Sequence, residues 1–311
     1  YLMTNLSIAT HLLMGTVFLY FGGEFLVKGA KNIARIFGVS PIVVGLTIVA
    51  FGTSLPELVV SLVAAMSGKE AIAIGNVIGS NIANVGLIVG LTCSLFNVSI
   101  VGKDFLRDLN IMIAVSIIFI IILFDGQVQR WEGMFLFSGI IAYTFYTFFT
   151  GKKQDADDSE ELSSIVRNIG FLSIGILGLY FGSNLFVDGA ISLARRLGVA
   201  EIVIGMTIVA YGTSLPELAT SIVAALKKEG DISLGNIIGS NLFNMMGVVG
   251  PVAIITPLKA NSTLLLFELP IMITFSLALY PIIIKSNIVS RKYATMLLLG
   301  YICFIVSLFI L

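Results

Sequence analysis

The sequence predicts an all-α membrane protein: ten transmembrane helices arranged as two inverted-topology five-helix repeats. Three observations carry this prediction. The 311-residue chain is 57% hydrophobic with only 12% charged residues, and its mean hydropathy is +1.04. Its two halves repeat one another at a constant offset, 212 − 52 = 160 residues for the heptad Gly-Thr-Ser-Leu-Pro-Glu-Leu at Gly52–Leu58 and Gly212–Leu218. Each half holds an odd number of apolar spans, so the second copy must enter the membrane from the side opposite to the first.

The composition lies far from that of soluble domains, where about 25% of residues are charged. A net charge of zero argues against a nucleic-acid partner. Apolar segments of about 20 residues span a bilayer, longer when tilted. Ten are expected, at roughly 8–30, 39–66, 71–96, 109–125, 131–150, 168–192, 199–226, 231–256, 263–284 and 293–311. The first run reads straight into a full-length span, with no cleavable signal expected. Cys93 and Cys303 lack metal-type spacing and read as small hydrophobes. His11, the single histidine, reads as structural.

The repeat extends well past the heptad. Tyr20-Phe21-Gly22 matches Tyr180-Phe181-Gly182, Gly38-Val39 matches Gly198-Val199, and Asn84 matches Asn244. Gly75-Asn76, Gly79-Ser80-Asn81 match Gly235-Asn236, Gly239-Ser240-Asn241, and just over half of positions 20–90 are identical to their mates. The chain is therefore expected to comprise a first five-helix repeat (1–150), a cytoplasmic linker (151–164) and a second, inverted repeat (165–311). The linker's acidic cluster reads as a solvated tether.

Loop charge sets the orientation. On one side lie Lys28, Lys31, Arg35, Lys103, Arg107, Lys152, Lys153, Arg167, Lys227, Lys228, Lys285, Arg291 and Lys292, and on the other only Lys69, Arg130, Arg195, Arg196 and Lys259. Thirteen cations against five make the first side cytoplasmic, which leaves both termini extracellular. The protein is then a multi-pass protein of the cell membrane with the lipid bilayer as its solvent.

Glu57 and Glu217 fall near span centres, where a carboxylate is costly and marks function by default. Pro56 and Pro216 remove a backbone donor and kink each helix, which is expected to free carbonyls around Ala50–Thr53 and Ala210–Thr213. The hydroxyls of Thr53, Ser54, Thr213 and Ser214 lie alongside. The partner spans add Ser80 and Asn84, four residues apart on one helical face, with Ser240 and Asn244 as their mates. Every candidate ligand is a hard oxygen, which suits calcium, sodium or magnesium and not zinc or copper. A flexible cage of carbonyls, carboxylates and hydroxyls favours calcium over magnesium. With asparagine at 84 and 244 the site carries at most two negative charges, matched by one calcium, two sodium ions or two protons. Glu24, Asp188 and Glu268 have no such duplicated setting and read as interfacial or packing groups.

At these motifs the chain resembles the calcium/cation antiporter superfamily, and most closely its prokaryotic sodium/calcium exchanger branch. The resemblance covers essentially all ten spans. It implies secondary active exchange of sodium for calcium by alternating access, with no cofactor and no enzymatic chemistry. By resemblance Glu57 and Glu217 bind calcium, completed by the Thr53 and Thr213 carbonyls. Sodium would use the Ala50 and Ala210 carbonyls and the hydroxyls of Thr53, Ser80, Thr213 and Ser240, and spans 8–30 and 168–192 would slide as a gate. Asn244 stands where some relatives carry aspartate, which leaves sodium stoichiometry open. The alternative is a proton-coupled calcium antiporter on the same scaffold, although the Thr-Ser-Leu-Pro-Glu pattern favours sodium. An intramembrane hydrolase using Ser54 or Ser214 lacks a nearby base, and a passive channel fits a closed midplane charge poorly. Both halves of the site lie in one chain, so a monomer suffices.

Overall fold

The computed structural model describes residues 4–98, 104–151, 162–199, 210–280 and 289–308. Most of the expected linker, the start of the expected span 199–226, and the loop cations Lys103, Lys152, Lys153 and Lys285 lie outside them. Within them the chain is almost wholly helical: α1 (Asn5–Ile36), α2 (Pro41–Thr53), α3 (Leu55–Met66), α4 (Glu70–Leu95), α5 (Asp104–Ile122), α6 (Arg130–Thr150), α7 (Leu162–Arg196), a turn at Ala210–Gly212, α8 (Leu215–Leu226), α9 (Gly230–Ile255), α10 (Leu264–Ala278) and α11 (Arg291–Leu308). Seven of these are long and apolar enough to cross a bilayer, or eight if the bent pair α2–α3 counts as one span; α8 and α10 are shorter apolar helices. The protein is a multi-pass membrane protein.

Local chemistry explains where the helices stop. α1 and α7 run past their apolar stretches and end at the same signal, Gly38 and Gly198, whose φ angles of 61° and 78° favour glycine. In each case the next residue's amide reaches back, Val39 to Ala34 at 2.9 Å and Val199 to Ala194 at 3.0 Å, satisfying a terminal carbonyl. α6 opens with a reciprocal cap, in which the Gln129 amide donates to the Glu132 carboxylate at 2.7 Å.

Helices α4 and α9 form the centre, with 72% and 78% of their apolar windows buried, against 28% for both α1 and α7. α2 crosses α9 at glycines, since a Cβ on Gly235 or Gly239 would stand 2.9 Å from the Ile42 carbonyl or 2.5 Å from that of Leu46. The loop after α5 meets the loop after α9, where Gln127–Val128 (β1) pairs antiparallel with Leu258–Lys259 (β2). At another corner the Val289 amide donates to the Val98 carbonyl at 3.3 Å. Cys93 is buried as expected, whereas Cys303 is exposed on the outer face of α11.

The two longest helices, α1 and α7, pack along each other through repeat-matched glycines. A Cβ on Gly15 or Gly22 would lie 2.6 or 2.7 Å from the backbone of Phe186 or Leu179; one on Gly175 or Gly182 would meet Leu26 or Leu19 just as closely. Backbones approach this tightly only through small residues, the usual currency of helix association in lipid. Ion pairs then tie α1 to the α8–α9 turn: Lys31 with Glu229, and Lys227 with Glu24 at 2.8 Å. Gly182→Val should therefore cost about 1–3 kcal/mol through overpacking. Thermal unfolding of purified protein in detergent should show a drop of several degrees, while Gly170→Ala, with open space around it, should show none. Equal melting temperatures for both variants would discard the glycine seam.

Candidate functional site

Each Pro-Glu motif bends its helix at the preceding serine. The axes of α2 and α3 differ by 42°, and Ser54 sits at the corner with φ −86° and ψ 5°. Ser214 has almost the same geometry, φ −85° and ψ 3°. Both glutamates fall in the first turn of a new helix, α3 or α8, where unsatisfied amides favour negative charge. Both are fully buried.

The polar side chains then pair across the two halves. Ser54 donates to Glu217 Oε1 at 3.1 Å, and its mate Ser214 donates to Glu57 Oε1 at 3.3 Å. Ser80 also donates to Glu57 Oε1 at 3.4 Å. Thr53 Oγ1 donates to Asn236 Oδ1 at 3.1 Å and lies 3.4 Å from Ser240 Oγ, while Thr213 Oγ1 donates to Asn76 Oδ1 at 3.4 Å. Asn84 donates to Asn241 Oδ1 at 2.9 Å and Asn244 to Asn81 Oδ1 at 3.1 Å. Four buried oxygens of these residues receive nothing: Glu57 Oε2, Glu217 Oε2, Asn84 Oδ1 and Asn244 Oδ1. Among the described residues no cationic side chain pairs with either glutamate; Lys31, Arg107 and Lys227 pair with other acids.

Amide oxygens and ionised carboxylate oxygens can only accept, and leaving them bare in a buried site costs about 1–3 kcal/mol each, more for the charged ones. What satisfies them must be a donor or a cation. The oxygen-only set fits a hard cation.

The sodium/calcium exchanger protein family matches residues 7–149 and 167–310, nearly the whole chain. This chain belongs to that family. It is 34% identical to the sodium/calcium exchanger MaX1 of Methanosarcina acetivorans, an alignment covering 96% of this chain and 97% of that protein. It is 35% identical to the inner membrane protein YrbG of Escherichia coli strain K12, over 79% of each. Among solved structures it resembles the sodium-calcium exchanger NCX_Mj soaked with 10 mM Na+ and zero Ca2+, with TM-score 0.87, 34% identity, and coverage of 97% of this chain and 99% of that one. The chain is thus a cation/calcium antiporter of the exchanger family, a membrane transporter and not an enzyme.

Of the residues singled out by sequence, Glu57, Glu217, Thr53, Thr213, Ser54, Ser214, Ser80, Ser240, Asn84 and Asn244 all take part in these hydrogen bonds. Ala50 and Ala210 lie a turn before the bends. The bend frees fewer carbonyls than the proline pattern predicts. Ala50 O accepts from the Ser54 amide at 3.0 Å and from Thr53 Oγ1 at 3.3 Å, because proline removes a donor from the residue four before it, Gly52, and not from Ala50. Gly212, four before Pro216, has its carbonyl capped by Ser183 Oγ of α7 at 2.7 Å. Asn76 and Asn236 hold the threonine hydroxyls and are held in turn by Ser61 at 3.0 Å and Ser221 at 3.4 Å. These four supports are identical in both halves, so the repeat itself was the signal for them. The repeat mate of Ser183 is Gly23, so Ser183 carries no such signal.

Ser183→Ala should leave the buried Gly212 carbonyl without a donor and cost about 1–3 kcal/mol. A melting temperature several degrees below wild type in detergent is the expected reading, and an unchanged one would show the bond to be dispensable.

Proposed function

We propose that the chain exchanges sodium for calcium, one cargo at a time, at the paired-glutamate site. The observation that carries this reading is the set of four buried acceptor oxygens with no donor, two of them carboxylate, with no cationic partner among the described residues. One calcium would neutralise both carboxylates, and so would two sodium ions. A filled site is then neutral and an empty one doubly charged, which penalises movement of the empty protein across a low-dielectric barrier. Obligatory exchange follows from that difference. The names of MaX1 and NCX_Mj support sodium and calcium as the pair.

In this reading Glu57 and Glu217 bind calcium with the Thr53 and Thr213 carbonyls. The hydroxyls of Thr53, Ser80, Thr213 and Ser240 serve sodium, Ser54 and Ser214 hold the carboxylates in place, and Asn84 and Asn244 complete the centre. The Ala50 carbonyl already accepts two bonds, so it can join a sodium shell only after the Thr53 hydroxyl turns away. The Ala210 carbonyl is its mate on the other half.

The full architecture in this proposal is ten spans in two inverted repeats of 1–150 and 165–311, with both termini extracellular and the linker cytoplasmic. Its support is that contacting loops fall on the same side: 126–128 meets 258–260, and Val98 meets Val289. Thr53 and Asn236 are buried while Thr213 and Asn76 are only half-buried. Asn76 lies toward the Glu70 end of α4, the extracellular end in this topology, so the conformation opens outward. The Lys31–Glu229 and Lys227–Glu24 pairs close the opposite end. Both halves of the site come from one chain, and a monomer is a sufficient unit.

The test is calcium-45 uptake into sodium-loaded proteoliposomes against choline-loaded controls, with pH clamped and a protonophore present. Uptake should require internal sodium. Uptake indifferent to sodium but driven by an imposed pH gradient, once the protonophore is omitted, would transfer the protein to proton coupling with the same two glutamates as carriers. Glu57→Gln and Glu217→Gln should each abolish uptake while the protein remains monodisperse; wild-type flux in either would remove the glutamates from the site. Asn84→Ala and Asn244→Ala should act more mildly, by shifting apparent ion affinity.

A further inference from the structure

Two buried methionines touch the asparagines that pair with Asn84 and Asn244. Met112 of α5 and Met272 of α10 are repeat mates, 272 − 112 = 160, and both are fully enclosed. Asn241 Nδ2 lies 3.4 Å from Met112 Sδ, and Asn81 Nδ2 lies 3.8 Å from Met272 Sδ. Each of these asparagines presents its Oδ1 to the next amide, Asn84 Nδ2 at 2.9 Å and Asn244 Nδ2 at 3.1 Å. Each chain then ends on a bare oxygen, Asn84 Oδ1 or Asn244 Oδ1.

We propose that Met112 and Met272 are positioning residues that set the polarity of two amide relays, so that Asn84 and Asn244 present oxygen and not NH2 to the transported cation. This rests on the cation-site reading above. A primary amide is nearly symmetric in shape, and packing alone does not choose between its two orientations. A thioether breaks the tie, because its sulfur accepts weakly and donates nothing. The asparagine beside it must turn its NH2 outward to the sulfur, which puts its oxygen toward the next amide. That amide in turn gives up its NH2 and keeps its oxygen for the ion. Without the sulfur, the two buried carboxylates favour the reverse orientation. Ser80, one helical turn before Asn84, already touches Glu57, so a reversed Asn84 would bring its NH2 toward that acidic centre and compete with the cation.

The two relays are not equally anchored. Asn81 Nδ2 has a second acceptor, the Asn241 backbone carbonyl at 3.4 Å, while the sulfur of Met112 is the acceptor for Asn241 Nδ2. Met112→Leu should therefore matter more than Met272→Leu.

The experiment measures apparent calcium affinity in two ways, as the KM of sodium-driven uptake and as the calcium concentration that half-maximally raises the melting temperature. Met112→Leu should weaken affinity by about five-fold or more, as expected when most molecules hold the incompetent amide orientation, and Met272→Leu by no more than about two-fold. In the Asn84→Asp background the Met112→Leu effect should vanish, since a carboxylate offers oxygen whichever way it turns. An equal loss in both backgrounds, or equal losses at the two methionines, would reduce Met112 to packing and overturn the relay; so would unchanged affinity in Met112→Leu. Should Asn84→Asp bind no calcium, the comparison of the two methionines decides. A live Glu57→Gln variant would instead sink the site assignment itself, so the two failures are distinct.

Discussion

Two carboxylates buried with no cationic partner among the described residues are the constraint on which the rest of the structure depends. Removing one ion from water costs several kcal/mol even after relaxation, and here there are two, Glu57 and Glu217, both fully enclosed. The protein offsets part of this with the amide ends of α3 and α8 and with the hydroxyls of Ser54, Ser214 and Ser80. It leaves one oxygen of each carboxylate unpaired. A lysine in the same place would settle the charge permanently and remove the need for cargo. The absence of such a partner among the described residues fits a site whose counter-charge arrives and leaves.

Holding that site demands close backbone packing in the middle of a membrane. The bends at Ser54 and Ser214 create the helix ends that face the carboxylates, and glycines at 235 and 239 let α2 lie directly on α9. Each half therefore contributes hydroxyls to the other half's carboxylate, and neither glutamate's environment is complete within its own repeat. Duplication alone would give two similar half-sites; the crossing of α2 over α9 is part of what merges them into one.

Much of this was legible in the sequence because the chain states it twice. The bends follow from Pro56 and Pro216. The network members follow from polar residues recurring at one offset inside apolar spans. What was not legible falls into two kinds. Cross-half partners such as Thr53 with Asn236 depend on how helices cross, which spacing along one chain does not encode. The capping of Gly212 by Ser183 belongs to one half only and gives no repeat signal. The expected freeing of carbonyls does not extend to Ala50 for a local reason: proline deprives the residue four positions earlier, so Gly52 loses its helical donor while Ala50 keeps the Ser54 amide.

The site is nearly symmetric, but the frame around it is not, and the difference has direction. Shifted by 160 residues, the pair Lys31–Glu229 becomes Ile191 with Lys69, and Glu24–Lys227 becomes Asn184 with Ser67. Neither shifted pair can form an ion pair. One end of the bundle is therefore tied to α1 by charge, and the repeat-mate positions cannot reproduce those two pairs at the equivalent end near α7. Ser183 adds a bond from α7 to the Gly212 bend where Gly23 offers α1 none. An exchanger whose two conformations were true mirror images would populate them equally; each partly exposed ion pair contributes at most about 1 kcal/mol, yet even that shifts a two-state ratio about five-fold. In the exchange proposed above, the sequence differences between the repeats would thus bear on how long each face stays open, and the shared residues on what is carried.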